Sequence, residues 1–207
     1  SEAAGTLAPS ADDARFGAEG ATISADVEPA RSSRIRLGTD VGADIPAGAV
    51  AGRTRVTIRH LSRSTLPAID AGLINVTAPR AHGYEFLPHG QRFLRPVTVI
   101  VPYDPALLPE GRTPNDVQTY FYDASTRRWQ ALARTSIDLD RSVTTSLTDH
   151  FTIMINAVLT VPESPSPLSF DPTSISSLAA ADPGAGIDLI EAPSADSSGD
   201  ARLTFPI

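Results

Sequence analysis

His150-Phe151-Thr152 joins the side chains that a polypeptide needs to cut its own backbone. A threonine hydroxyl can attack the carbonyl carbon of the residue before it, which is an N-to-O acyl shift. A neighbouring histidine suits the proton transfer, because an imidazole titrates near neutral pH. The scissile bond would be Phe151–Thr152, and water would hydrolyse the resulting ester. The step also needs a stabilised oxyanion and often a strained peptide, which a tight turn holding Phe151–Thr152 twisted would supply. Asp149 takes a supporting role only, since neighbours along a strand point to opposite faces. The tripeptide has a plain reading too: His150 caps a strand end, Phe151 fills the core and Thr152 starts the next strand.

The other chemistry-bearing residues are more dispersed. The remaining histidines are His60, His82 and His89. His82 and His89 have no cysteine near them, so a zinc site is not read there. Asp138 and Asp140 flank Leu139 without the carboxylate density of a calcium loop, and they read as turn residues. Asn75-Val76-Thr77 matches a glycosylation acceptor within a strand pattern. Tyr120, Phe121, Tyr122 and Trp129 would make a sugar-stacking platform or, alternatively, core on one face of a hairpin. No Ser-His-Asp order, Gly-rich phosphate loop or cofactor signature is present. The residues call for no cofactor and no metal.

These residues must be positioned by strands. Arg53–His60 alternates polar and apolar residues, with Val56 and Ile58 on the buried side. Ala21–Val27, Arg34–Leu37, Leu73–Thr77 and Tyr84–Phe86 are further strand candidates. Pro96–Pro102 is β-branched and bounded by proline at both ends. Val117–Tyr122 and Arg128–Leu132 flank Asp123-Ala124-Ser125-Thr126 as a hairpin. Ser142–Leu147 runs into His150, and the stretch from Phe151 to Val161 is again apolar. Signals recur every 8–14 residues with no long helix, the spacing of an all-β antiparallel sandwich. Residues 1–14 read as a flexible lead-in. After Val161 the chain turns rich in Pro, Ser and Ala, as a connector does. Within it Ser174–Ala181 reads as a short helix.

The chain has 207 residues, 18 Pro and 14 Gly. All 17 basic residues are arginine, and the net charge is −7. That balance argues against nucleic-acid binding and against electrostatic attachment to an anionic membrane. Cysteine is absent, which excludes disulfides and thiolate metal sites. No apolar run approaches the ~20 residues that span a bilayer. Ser1 in place of Met reads as a trimmed start, and the final strand-like run Arg202–Ile207 reads as a fragment of a longer protein.

Ile45-Pro46-Ala47-Gly48-Ala49-Val50 resembles the "IPPGA-hydrophobic" signature of the ZU-five domain, a β-sandwich. Pro88-His89-Gly90, Phe93, Pro96-Val97 and Pro102 resemble that domain's "PxG…F…P-hydrophobic" segment and follow in the same order. Death-domain adaptor and netrin-receptor-like relatives self-cleave at His-Phe-Ser. Here position 152 is Thr, whose extra methyl restricts the attack geometry. A second resemblance runs over most of residues 15–207. Asp149–Ala157, Val161-Pro162-Glu163, Leu168-Ser169-Phe170 and Gly199–Ile207 look like the segment preceding the SpvB/TcaC-type region of bacterial insecticidal and Rhs-type toxin shells.

These resemblances imply a ZU-five-like β-sandwich over 15–160 and, over 161–207, a linker into the first strand of a following β domain. They imply an N-terminal self-processing or scaffolding module of a secreted or surface-displayed bacterial toxin-like protein. Its catalytic residues would be His150, Phe151 and Thr152, supported by Asp149. Its partner would be the remaining β shell of the same polypeptide, with another protein or a glycan as further partners. Neither nucleic acid nor membrane insertion is expected. The alternative is a non-catalytic protein- or carbohydrate-binding sandwich.

Overall fold

In the computed structural model, which describes residues 10–160, the alternating segments form twelve strands. The first four are β1 (Thr22–Val27), β2 (Ser33–Leu37), β3 (Val41–Ile45) and β4 (Thr54–Leu61). Then come β5 (Leu73–Asn75), β6 (Gly83–Leu87), β7 (Arg92–Pro102) and β8 (Val117–Asp123). The last are β9 (Arg128–Ala131), β10 (Ala133–Asp138), β11 (Val143–His150) and β12 (Ile153–Leu159).

Two antiparallel sheets pack face to face as an all-β sandwich. One runs β1-β4-β6-β12-β8-β9, with β5 also paired to β12; the other runs β10-β11-β7-β3-β2. The main core lies between them. Val56 and Ile58 face it from β4, Val97, Val99 and Val101 from β7, and Phe86, Phe151 and Met154 from around β12. β12 is buried on both faces. Met154 and Val158 face the other sheet, while Ile155 and Ala157 face outward under Leu66, Ile69 and Trp129. This explains its unbroken apolar run, the pattern of a central covered strand. Gly83 lets the covering loop approach, because a Cβ there would meet Leu66 at 2.6 Å.

Ala11–Phe16 forms a short helix, α1. Residues 11–14, read from sequence as part of a flexible lead-in, thus make most of one. Ser10 caps it: its hydroxyl accepts from the Asp13 N–H at 3.0 Å, and the Asp13 carboxylate accepts from the Ser10 N–H at 3.3 Å. Phe16 anchors its end in the core. The Asp40 carboxylate clasps Arg15 at 2.7 Å and Arg141 at 2.5 Å, joining α1 to the β10–β11 turn. The connector, its helix at Ser174–Ala181 and the final strand-like run lie outside the described residues.

Candidate functional site

The step from β11 to β12 is also the step from one sheet to the other, and Phe151 and Thr152 make it. Phe151 is 0% exposed. Its ring lies 4.6 Å from Phe93 edge-on and 5.6 Å from Phe86. Burying a side chain of this size contributes roughly 1.5–3 kcal/mol. The crossover is therefore rooted in the core and fixed in place. Among the described residues, the non-glycine residues with positive φ are Arg80, Ala81, Arg127 and Ser142. None belongs to the tripeptide, so the twisted turn expected at Phe151–Thr152 is not carried by a left-handed backbone there.

The imidazole of His150 stands edge-on to Phe121 at 4.7 Å. Its Nδ1 meets the Asp149 carboxylate at 2.7 Å, and the other Asp149 oxygen meets Arg92 at 2.6 Å. The expectation that these neighbours diverge is corrected here. Strand β11 pairs Thr148 with Val97 and His150 with Arg92, so the four residues Phe93–Pro96 bulge opposite Asp149 alone. The irregular ladder lets the Asp149 carboxylate turn along the strand to its neighbour. The contact makes Nδ1 the donor whichever charge the ring carries, since a carboxylate only accepts. Nε2 is left for other work. The His150 hydrogen bond holds the Asp149 carboxyl below the usual carboxylate range; burial works against this and the Arg92 charge assists.

Thr152 is 8% exposed. Its hydroxyl donates to the Tyr122 carbonyl at 2.8 Å rather than to His150. The Phe151 carbonyl accepts from the Gly90 N–H at 3.2 Å. Gly90 sits at φ +72°, in the Pro88-His89-Gly90 turn. That turn is tied down by His89, whose Nε2 lies 3.1 Å from a Glu85 carboxylate that also meets Arg59. Sequence reading missed the Gly90 amide, because a backbone donor has no signature in residue type. His89, Gly90, Arg92, Asp149, His150 and Thr152 line a cleft of about 660 Å³ together with the apolar Phe121, Leu132 and Leu147.

A polar network ties β12 into the sandwich. Asn156 is fully buried. Its amide oxygen accepts from the Thr119 and Thr144 hydroxyls, each at 2.9 Å, and its amide nitrogen donates to the Val101 carbonyl at 2.8 Å. Thr119, Thr144 and Val101 belong to β8, β11 and β7, so one side chain pins β12 to strands of both sheets.

The other candidates are structural where they stand. Trp129 is 6% exposed and donates through its indole to the Ala68 carbonyl at 2.9 Å, so its face is no open stacking platform. Asp138 accepts from the Arg141 N–H at 3.0 Å and shapes a turn. Asn75 donates to the carbonyls of Ala81 and His82 at 2.7 and 3.0 Å, which occupies its amide nitrogen. Among the described residues no group of three or more His, Asp or Glu side chains is placed to hold a metal, and no helix is long and apolar enough to cross a membrane. The fold is that of an all-β sandwich with a cleft at its sheet crossover. No protein-family model matches the chain, and no curated protein matches it.

Proposed function

We propose that the domain is a self-processing module that cuts its own chain between Phe151 and Thr152. The observation that carries this reading is the Gly90 N–H on the Phe151 carbonyl, in a cleft whose wall also holds the Thr152 hydroxyl and the carboxylate-bonded imidazole of His150. Thr152 Oγ1 turns from the Tyr122 carbonyl and attacks the Phe151 carbonyl carbon, passing its proton to His150 Nε2. The Gly90 N–H takes the negative charge that forms on the Phe151 oxygen. The C–N bond then breaks, and the proton on His150 moves to the Thr152 nitrogen as it leaves as an amine. Water hydrolyses the ester, giving a carboxylate at Phe151 and restoring the Thr152 hydroxyl.

The two pieces would stay together. The piece that starts at Thr152 holds β12, which pairs with β5, β6 and β8 and carries Asn156. Cleavage would then act as a maturation step within a scaffold. The ZU-five and toxin-shell resemblances support a place in a secreted or surface-displayed bacterial protein, next to the rest of its β shell. A second reading has its own observation. The Thr152–Tyr122 bond and the buried Phe151 ring also suit an uncut crossover in a partner-binding sandwich.

Intact mass under denaturing conditions separates the two readings. Self-processing yields one piece ending at Phe151 and another beginning at Thr152 in the parent chain, neither piece in Thr152→Ala, and faster appearance in Thr152→Ser, which lacks the methyl. A parent and a Thr152→Ser chain that both keep full-length mass over days at several pH values would retire the self-processing reading in favour of the binding module.

A further inference from the structure

The tripeptide leaves unused a second pair of histidines, at the opposite end of β6. His60 on β4 and His82 just before β6 are 2% and 7% exposed. His60 Nε2 lies 2.9 Å from His82 Nδ1. His60 Nδ1 lies 2.9 Å from the Gly17 carbonyl and 3.2 Å from that of Ala18, in the segment joining α1 to β1. Carbonyls only accept, so His60 Nδ1 must carry its proton. A neutral His60 therefore offers only a lone pair at Nε2, and His82 Nδ1 must donate to it. The tautomers of both rings follow from these contacts.

We propose that the His60–His82 pair is an acid-sensitive latch, closing the α1–β1 segment onto the sandwich near neutral pH and releasing it when both rings carry a proton. One proton is tolerated, because it enters at His82 Nε2 and leaves every hydrogen bond intact. A second has no place, since two N–H groups would face each other across 2.9 Å. The rings would have to part, and the grip on Gly17 and Ala18 would go with them.

The surroundings set the same direction. His82 is held below the ordinary histidine value, first by burial and then by His60; Arg80 adds to this and Glu19 opposes it. Tyr84 stacks on His60 at 5.0 Å from β6 and donates its hydroxyl to the Ala78 carbonyl at 2.8 Å. Burial, with the Asp40 charge, pushes that hydroxyl up, so it stays a donor. The unfolded chain binds protons on histidine below about pH 6.5 while folded His82 resists, so stability present above that pH is lost as pH falls. The turn before His82 adds a load, because Arg80 and Ala81 both sit at positive φ. Such residues persist only where their surroundings hold them. Here the holders are Asn75, Tyr84 and the latch.

The test is amide hydrogen exchange in the full chain, corrected for intrinsic rates. Gly20 donates to the His60 carbonyl at 3.2 Å and reports the closed segment. Its protection should fall up to about tenfold per pH unit between about pH 6.5 and 5. The double variant His60→Gln/His82→Gln should show no step over that range. Constant protection of Gly20 in the parent chain, or a step that persists in the double variant, overturns the latch. If the variant does not fold, the C2 proton resonances of the two imidazoles in the parent chain decide. Uptake of both protons with the Gly17–Ala21 amides unmoved overturns the latch, and uptake that moves them together supports it. Neither measurement depends on cleavage at Phe151.

Discussion

Asn156 shows how a buried network can be tested by choosing the right substitution. Removal to Ala looks severe, since two hydroxyls and a carbonyl lose a partner. The geometry says otherwise. Ser146 already donates to Thr119 at 3.1 Å, Thr119 lies 2.9 Å from Thr144, and Thr144 lies 3.2 Å from the Val101 carbonyl. With the amide gone, the hydroxyls can turn into a single relay from Ser146 to Val101, leaving none unpaired. The cost is then mainly the vacated volume and one net hydrogen bond, about 2 kcal/mol. Asn156→Asp behaves differently, although it is nearly isosteric. One carboxylate oxygen would face the Val101 carbonyl at the place where a nitrogen now donates at 2.8 Å. A protonated carboxyl restores that donor and an ionised one does not, so the folded state keeps the group neutral and its pKa rises. Each unit of rise costs about 1.4 kcal/mol. The penalty relative to the parent should be small near pH 4 and grow to about 4 kcal/mol by pH 7. Urea unfolding followed by the fluorescence of Trp129, the single and buried tryptophan, gives the difference at each pH. A penalty for Asn156→Asp that does not change with pH would refute the hydrogen-bond assignment. A cost for Asn156→Ala above about 4 kcal/mol would refute the rewiring.

Two further substitutions probe the site and its frame. Gly90→Ala places a Cβ in open space at φ +72°, so only the backbone resists; stability should fall by about 1 kcal/mol, and under the self-processing proposal the appearance of the two pieces by intact mass should slow about tenfold as the amide shifts from the Phe151 oxygen. Asp40→Asn should loosen α1 and cost about 1–2 kcal/mol in urea unfolding. Burial works to raise the Asp40 carboxyl, but hydrogen bonds from Arg141 and Arg15 outweigh it and hold it low. The stability it adds is therefore present above about pH 4 and lost as pH falls through the depressed value, a loss the Asn variant should not show.

Much of the sandwich was legible because strands advertise their faces. Val56 and Ile58 alternate with polar neighbours, Pro96–Pro102 is β-branched throughout, and Asp123-Ala124-Ser125-Thr126 is a turn by composition. Two strands escaped notice. β3 (Val41–Ile45) contains Gly42 and Asp44, and β10 (Ala133–Asp138) runs mostly exposed at a sheet edge. Both runs are short and weak in large apolar residues: in β3 Val41, Ala43 and Ile45 alternate across a glycine, and in β10 Ile137 is the one large apolar residue. Helix α1 hid within small polar residues, because its stability comes from the Ser10–Asp13 cap and the Asp40 clasp, and half of that is long-range.

Periodicity and side-chain type are local properties, and they sufficed for the fold class and for the hydroxyl, imidazole and carboxylate clustered around Phe151–Thr152. Long-range packing set what surrounds that bond. It placed the tripeptide at the crossover between the sheets, turned Asp149 toward His150 through the bulge in β7, brought the Gly90 amide onto the Phe151 carbonyl and gave the Thr152 hydroxyl to Tyr122. It also paired His60 with His82 across 22 positions of chain. Each of these contacts joins groups far apart in sequence or rests on a backbone atom that every residue carries, and packing alone selects among them.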